Sequence, residues 1–343
     1  MSGVTRRAYR VSLVTALALV LGYSLNIDLP YIAPLFAFIL ALGSEQPISA
    51  KGMVGLLIVI SITLGTGLLL IPVLQHYPIT GMLMVLIGMF VSTHLTVNMG
   101  QALVGTFFMM GMTLITVAGT MGFELALVML DSILVSVICA VVCQWLVFPF
   151  FAVEAMQKEA PRDTGANLGD AGYWVALRTT AIVFPVYFLA LTNPSLYIPI
   201  IMKAVSLGQQ STEMDLQKAG DELLLSTLAG GVFAILFWAL LKIQPNLWVF
   251  FLLTLLFTLV ITRRLFGLVK SKFKPSFWQN SLITLLILIG PAVQDTANGK
   301  DVYKAFTVRV SLFVAVSLYA WFAARIFERW RSRRIQRKVS IPL

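Results

Sequence analysis

The chain has 343 residues, 59% of them apolar and only 12% charged, with a formal net charge of +10. A soluble domain carries about 25% charged residues, so this chain has roughly half the charge that a water-facing surface needs. Soluble enzymes and nucleic-acid-binding modules are excluded despite the basic balance, and the solvent for folding is a lipid bilayer.

A spanning helix needs about 20 mostly apolar residues. Apolar segments run at 11–27, 31–42, 53–75, 79–97, 100–119 and 123–151. After a polar stretch they resume at 173–192, 195–207, 221–242, 246–262, 277–293 and 303–327. Open sheet edges cannot exist in hydrocarbon, and no two-residue alternation marks barrel strands, so the segments are expected to be helices. The expected architecture is an all-α integral membrane protein of about 12 transmembrane segments in two parallel six-segment repeats. Residues 1–153 form the first repeat, 154–171 a cytoplasmic linker, 172–330 the second repeat and 331–343 a basic cytoplasmic tail.

The first segment follows Arg6-Arg7-Ala8-Tyr9-Arg10. No small-residue cleavage site comes after it, only Asn26-Ile27-Asp28-Leu29-Pro30, so it reads as an uncleaved helix. The second segment, 31–42, and its counterpart 195–207 cover about 18 and about 20 Å as helices, against roughly 30 Å of hydrocarbon. Prolines precede or interrupt both, Pro30 and Pro34 in one and Pro194 and Pro199 in the other. Short or proline-broken segments at matching places in two halves point to a transporter's binding site; alternatively, each helix runs past these limits with proline in its first turn.

Farther along, the glycines at 65, 67, 230 and 231 suit close helix packing. His76 and His94 sit at segment ends and read as solvated groups. Gln101, Gln279 and Asn280 form a polar layer on matching helices, either gluing helices together or touching a substrate. Cys139 and Cys143 read as small packing residues rather than a disulfide framework.

Ionisable residues inside apolar runs carry more information, because a charge at the membrane centre costs about 2.5–3.5 kcal/mol on insertion scales. Asp131 and Arg309 occupy equivalent places in the two halves, and Lys203 lies in the second short segment. One reading gives Lys203, Arg309, Gln101, Gln279, Asn280, Pro34 and Pro199 to an anionic substrate, with Asp131 and Asp295 in proton coupling. The other has Lys203 snorkelling to the inner surface and Arg309 in a structural ion pair with Asp131 or Asp295. No GxxxxGK[ST] loop and no metal-ligand cluster is present in the sequence, so neither nucleotide, cofactor nor metal is expected, and no catalytic constellation marks an enzyme.

Charge sets the orientation. With a cytoplasmic N-terminus and alternating crossings, twenty of the 25 Lys and Arg fall inside. Lys242, Lys300 and Lys304 fall outside, and Lys203 and Arg309 within segments. Both termini are expected in the cytoplasm, with the tail from Arg325 to Lys338 touching anionic lipid rather than nucleic acid. The repeat is visible in residues as well: an offset of 165 pairs Pro34 with Pro199, Gly43 with Gly208 and Gly65 with Gly230, and an offset of 178 pairs Gln101 with Gln279.

Arg10 before an apolar helix, Leu29-Pro30-Tyr31 with Pro34, Ser44-Glu45-Gln46-Pro47, and Trp145-Leu146-Val147-Phe148-Pro149 closing the sixth segment resemble the fusaric acid resistance and aromatic acid exporter superfamily. The similarity covers 6–151 and extends, in more degenerate form, over 173–330. Many members carry a large cytoplasmic domain that has no counterpart here, which places the resemblance with a compact bacterial subgroup. It implies an inner-membrane exporter of aromatic carboxylic acids or related organic anions, drawing on the proton motive force and working with a periplasmic membrane-fusion adaptor; a homo-oligomer is compatible with it. An anion channel and a membrane scaffold of an envelope complex are the alternatives. A major-facilitator carrier would need a glycine- and arginine-rich loop where Gly43-Ser44-Glu45-Gln46-Pro47 stands.

Overall fold

A computed structural model describes residues 3–151, 170–213, 219–297 and 302–339. Nearly all of the expected linker and the last four residues of the tail lie outside the described residues. Twelve helices follow one another: α1 (Gly3–Ser24), α2 (Ile32–Gly43), α3 (Ala50–His76), α4 (Pro78–Asn98), α5 (Ala102–Met121) and α6 (Phe123–Val147). Then come α7 (Asp170–Thr192), α8 (Pro194–Glu213), α9 (Ala219–Ile243), α10 (Leu247–Leu265), α11 (Pro275–Ala297) and α12 (Val302–Val339). A π turn, Gly111–Ile115, interrupts α5, and no strand occurs among the described residues. Within those residues nine helices, α3 to α7 and α9 to α12, are long and apolar enough to cross a membrane, which marks a multi-pass membrane protein.

Local chemistry explains the boundaries. Ser49 accepts from the Gly52 amide to start α3, and Asn246 accepts from the Val249 amide at 2.7 Å to start α10. Proline opens α4, α8 and α11, where its missing N–H is not needed. Arg263 and Arg264 occupy the last turn of α10, where cations suit the helix dipole. Inside α7, Pro185 removes the amide that would bond the Ala181 carbonyl. The Tyr319 hydroxyl of α12 donates to that carbonyl instead, at 2.7 Å.

The helices differ in how deeply they lie. Of the apolar windows, that of α11 is 83% buried and that of α5 72%, while α3 and α10 reach only 28%. The outer helices expose large apolar side chains such as Leu69, Ile79 and Trp248, as lipid-facing surfaces do. α2 is buried over 30–38, and α8 over 198–205. α2, α5, α8 and α11 therefore make the centre. Neighbours are reciprocal: α1 packs on α2 and α10, while α7 packs on α8 and α4. Likewise α3 lies against α5 and α9 against α11.

Two expectations change. The segment 195–207 belongs to a continuous 20-residue helix, α8, which passes through Pro199 and continues to Glu213. A helix of that length spans about 30 Å, so only α2, with 12 residues, stays short. The expected tail is in turn not separate from the last span, since α12 continues as helix to Val339.

Candidate functional site

The central helix α11 carries the polar groups of the bundle in sequence along its length. At its sixth residue Asn280, and one turn later Thr284, face Lys203 of α8. Lys203 Nζ donates to Asn280 Oδ1 and to Thr284 Oγ1, both at 2.6 Å. The Asn280 amide nitrogen donates to Ser226 Oγ on α9, and Thr284 Oγ1 donates to the Asn280 carbonyl at 2.7 Å. Ser281 adds a bond to the Ser226 carbonyl at 3.0 Å. α9 comes close enough for these bonds because Gly230 lies against α11. A Cβ there would stand 2.6 Å from the Ser281 carbonyl oxygen.

Lys203 is wholly inaccessible. It is the tenth residue of a 20-residue helix, so its Cα lies about 14 Å from each end. Snorkelling is therefore replaced by a lysine held at mid-helix by neutral ligands. The longer α8 is the reason: the expected end near residue 207 had put Lys203 within a turn of the surface.

Toward the other end of α11, Tyr31 packs on Gly290, and the Gln294 side chain donates to the Asp28 carbonyl at 2.8 Å. One residue on, Asp295 pairs with Arg309 of α12 at 2.6 Å, and both are buried. Of the two expected partners of Arg309, the structure brings it Asp295. Asp131 stands on an exposed face of α6. α6 packs on α1, α2 and α3, and α12 on α7, α8, α9 and α11, so residues equivalent in sequence are not neighbours here.

The remaining candidates separate in the same way. Gln101 is exposed at the start of α5, and Gln279 is half-buried beside Asn280, outside the Lys203 cluster. Pro34 is the third residue of α2, where no intrahelical amide bond is lost, and lines a small apolar crevice with Leu19, Tyr31 and Phe237. Pro199 is buried in α8, one turn before Lys203. His94 contacts the Tyr173 ring, and His76 bonds the Pro72 carbonyl on an exposed turn. Both cysteines are free and buried.

Sequence reasoning did not single out Thr284 or Ser226, nor the bonds that Arg10 makes. The first was within reach, because Asn280 and Thr284 are four apart and must share a helix face. Arg10 read as a positive charge before a helix, yet it is 2% exposed and bonds the chain just past the end of α2. Its guanidinium donates to the carbonyls of Glu45 (2.7 Å) and Ser44 (3.0 Å) and lies over the Phe148 ring. Arg7 donates to the Leu42 carbonyl at 3.1 Å. A helix leaves its last carbonyls unbonded; Arg7 serves one in the last turn of α2, and Arg10 serves the cap residue Ser44 and Glu45 beyond it.

Fold and site together define a multi-pass helical membrane protein with a buried lysine at its centre. Residues 7–147 match a family described as "Protein of unknown function (DUF2955)". No curated protein and no solved structure matches the chain.

Proposed function

We propose that the chain is a carrier of small organic anions, aromatic carboxylates above all, and that it exports them across a bacterial inner membrane. Its twelve helices form two parallel repeats, with both termini in the cytoplasm, and transport is linked to the proton gradient. The observation that carries this reading is Lys203, a fully buried cation-forming group at mid-helix whose two partners, Asn280 and Thr284, are both neutral. Intramembrane ionisable residues mark substrate or ion pathways, and a lysine without a resident carboxylate is suited to receive one from a substrate.

Reciprocal packing supports the repeat. Helix one of each half lies on helix four of the other, and the third helix meets the fifth in both halves. The glycine at that crossing is Gly67 in one half and Gly230 in the other, so Gly67, rather than Gly65, is the counterpart of Gly230. Arg10 and Arg178, both buried, stand at similar places in the first helix of each half, its eighth residue in one and its ninth in the other. The likeness to aromatic acid exporters supplies the substrate class, the membrane and the periplasmic adaptor as partner. In this reading Arg309 and Asp295 close the site at one end, about 16 Å along α11 from Thr284.

The test is efflux of a labelled aromatic carboxylate from proteoliposomes. Lys203→Gln should abolish it, and Arg309→Gln should weaken it, with both variants inserted at normal levels. Full transport by the double variant overturns the proposal, and a steady ionic current under voltage would make the protein a channel instead.

A further inference from the structure

Resting on the anion reading of Lys203, the geometry points to the same side chain as the proton carrier: its amine takes up a proton together with the carboxylate, so that acid and anion binding are one event.

The hydrogen bonds around Nζ carry this inference. Asn280 is fixed as an acceptor because its amide nitrogen is committed to Ser226, and Thr284 is fixed as an acceptor because its hydroxyl proton is committed to the Asn280 carbonyl. Each therefore requires one N–H from Lys203, and these are its hydrogen-bond partners among the described residues. An uncharged amine has two N–H donors and one lone pair; an ammonium has three donors and no lone pair. The site as built satisfies both N–H donors of the amine and leaves the third N–H of an ammonium without an acceptor. A buried charge with no counter-charge is unfavourable, and a carboxylate arriving at that third position supplies both the acceptor and the charge.

Among the described residues no other group pairs with Lys203 as a countercharge. α5 has no ionisable side chain, and Tyr187 of α7 faces Thr116 of α5. The Tyr319 hydroxyl of α12 is bonded to the Ala181 carbonyl, and Arg309 is paired with Asp295 at one end of α11. Arg178, the ninth residue of α7, has the same sign as an ammonium, and Glu222 of α9 accepts from Ser276 at the start of α11. Burial is what acts on Lys203 among the described residues, with no charged neighbour.

The balance is simple. The empty amine, a proton from water and a carboxylate give a neutral ammonium–carboxylate pair. On release the proton returns to water and the amine to Asn280 and Thr284. Both loaded and empty centres are uncharged, so the anion and its proton travel in the same direction, one for one; an inward proton gradient then opposes export, which the outward gradient of the acid itself must drive.

Calorimetry of benzoate binding to the purified full chain, in buffers of different ionisation enthalpy, tests this between about pH 7 and about pH 8.5, where benzoate is fully ionised. Wild type should take up one proton per benzoate, and its affinity should fall about tenfold per pH unit. Lys203→Arg, permanently charged, should bind with no proton uptake, and Lys203→Gln should not bind. Benzoate binding by wild type without proton uptake overturns the inference and leaves the anion site standing. Unchanged binding by Lys203→Gln, or no binding by wild type, overturns the anion reading itself. The wild-type proton count decides the inference even if a variant fails to fold.

Discussion

A guanidinium can bond two carbonyls at once, and Arg10 does this just past the end of α2. Its two nitrogens reach two carbonyls from one side chain, a fork that an ammonium cannot reproduce. Hydrogen bonds to charged groups contribute about 1.5–3 kcal/mol each. Arg10→Met should therefore destabilise the protein by about 3 kcal/mol, with Arg10→Lys recovering less than half of that. Thermal unfolding in detergent checks the order, and equal stability of Arg10→Lys and wild type would contradict the forked cap. Arg10 was visible in the sequence as a positive charge before a helix, but its bonds were not, because the carbonyls it serves lie about 35 residues away and exist as free acceptors only where α2 stops.

At the scale of helices, close crossings decide which faces meet. A Cβ on Gly67 would lie 2.1 Å from the Gly111 carbonyl oxygen, at the π turn of α5. Backbone cannot yield as a flexible side chain can, so Gly67→Ala should cost about 1–3 kcal/mol through overpacking, read as a lower melting temperature. Gly65→Ala should be close to neutral, since a Cβ there meets nothing within 4 Å. Equal effects at the two positions would rule out this crossing. The sequence showed a glycine pair on α3 without telling which of the two faced a neighbour. It also showed proline in the second segment of each half but not the outcome: Pro34 opens α2, whereas α8 runs through Pro199. A proline inside a helix is compatible with continuation when the surrounding protein holds the chain in place.

For the whole molecule, the reciprocal contacts make the two halves one bundle rather than two adjacent ones. Ser12 of α1 and Thr262 of α10 join hydroxyls at 2.9 Å across the halves. In a variant lacking Cys139 and Cys143, Ser12→Cys with Thr262→Cys should form an oxidative cross-link. After cutting at a protease site inserted between residues 154 and 169, the two halves should migrate together under non-reducing denaturing conditions only when both new cysteines are present. Separate migration would contradict the packing of α1 on α10.

The amino-acid sequence by itself determined the solvent, the helical class and the approximate limits of the helices. Apolar run length and backbone hydrogen bonding in lipid leave few other solutions, and these are local properties. It also marked Lys203, Arg309 and Asp131 as costly residues for a membrane interior. Which of them meet was decided only by the tertiary structure, since Lys203 bonds groups about 80 positions away, and a charge placed in hydrocarbon states its need for a partner without naming one.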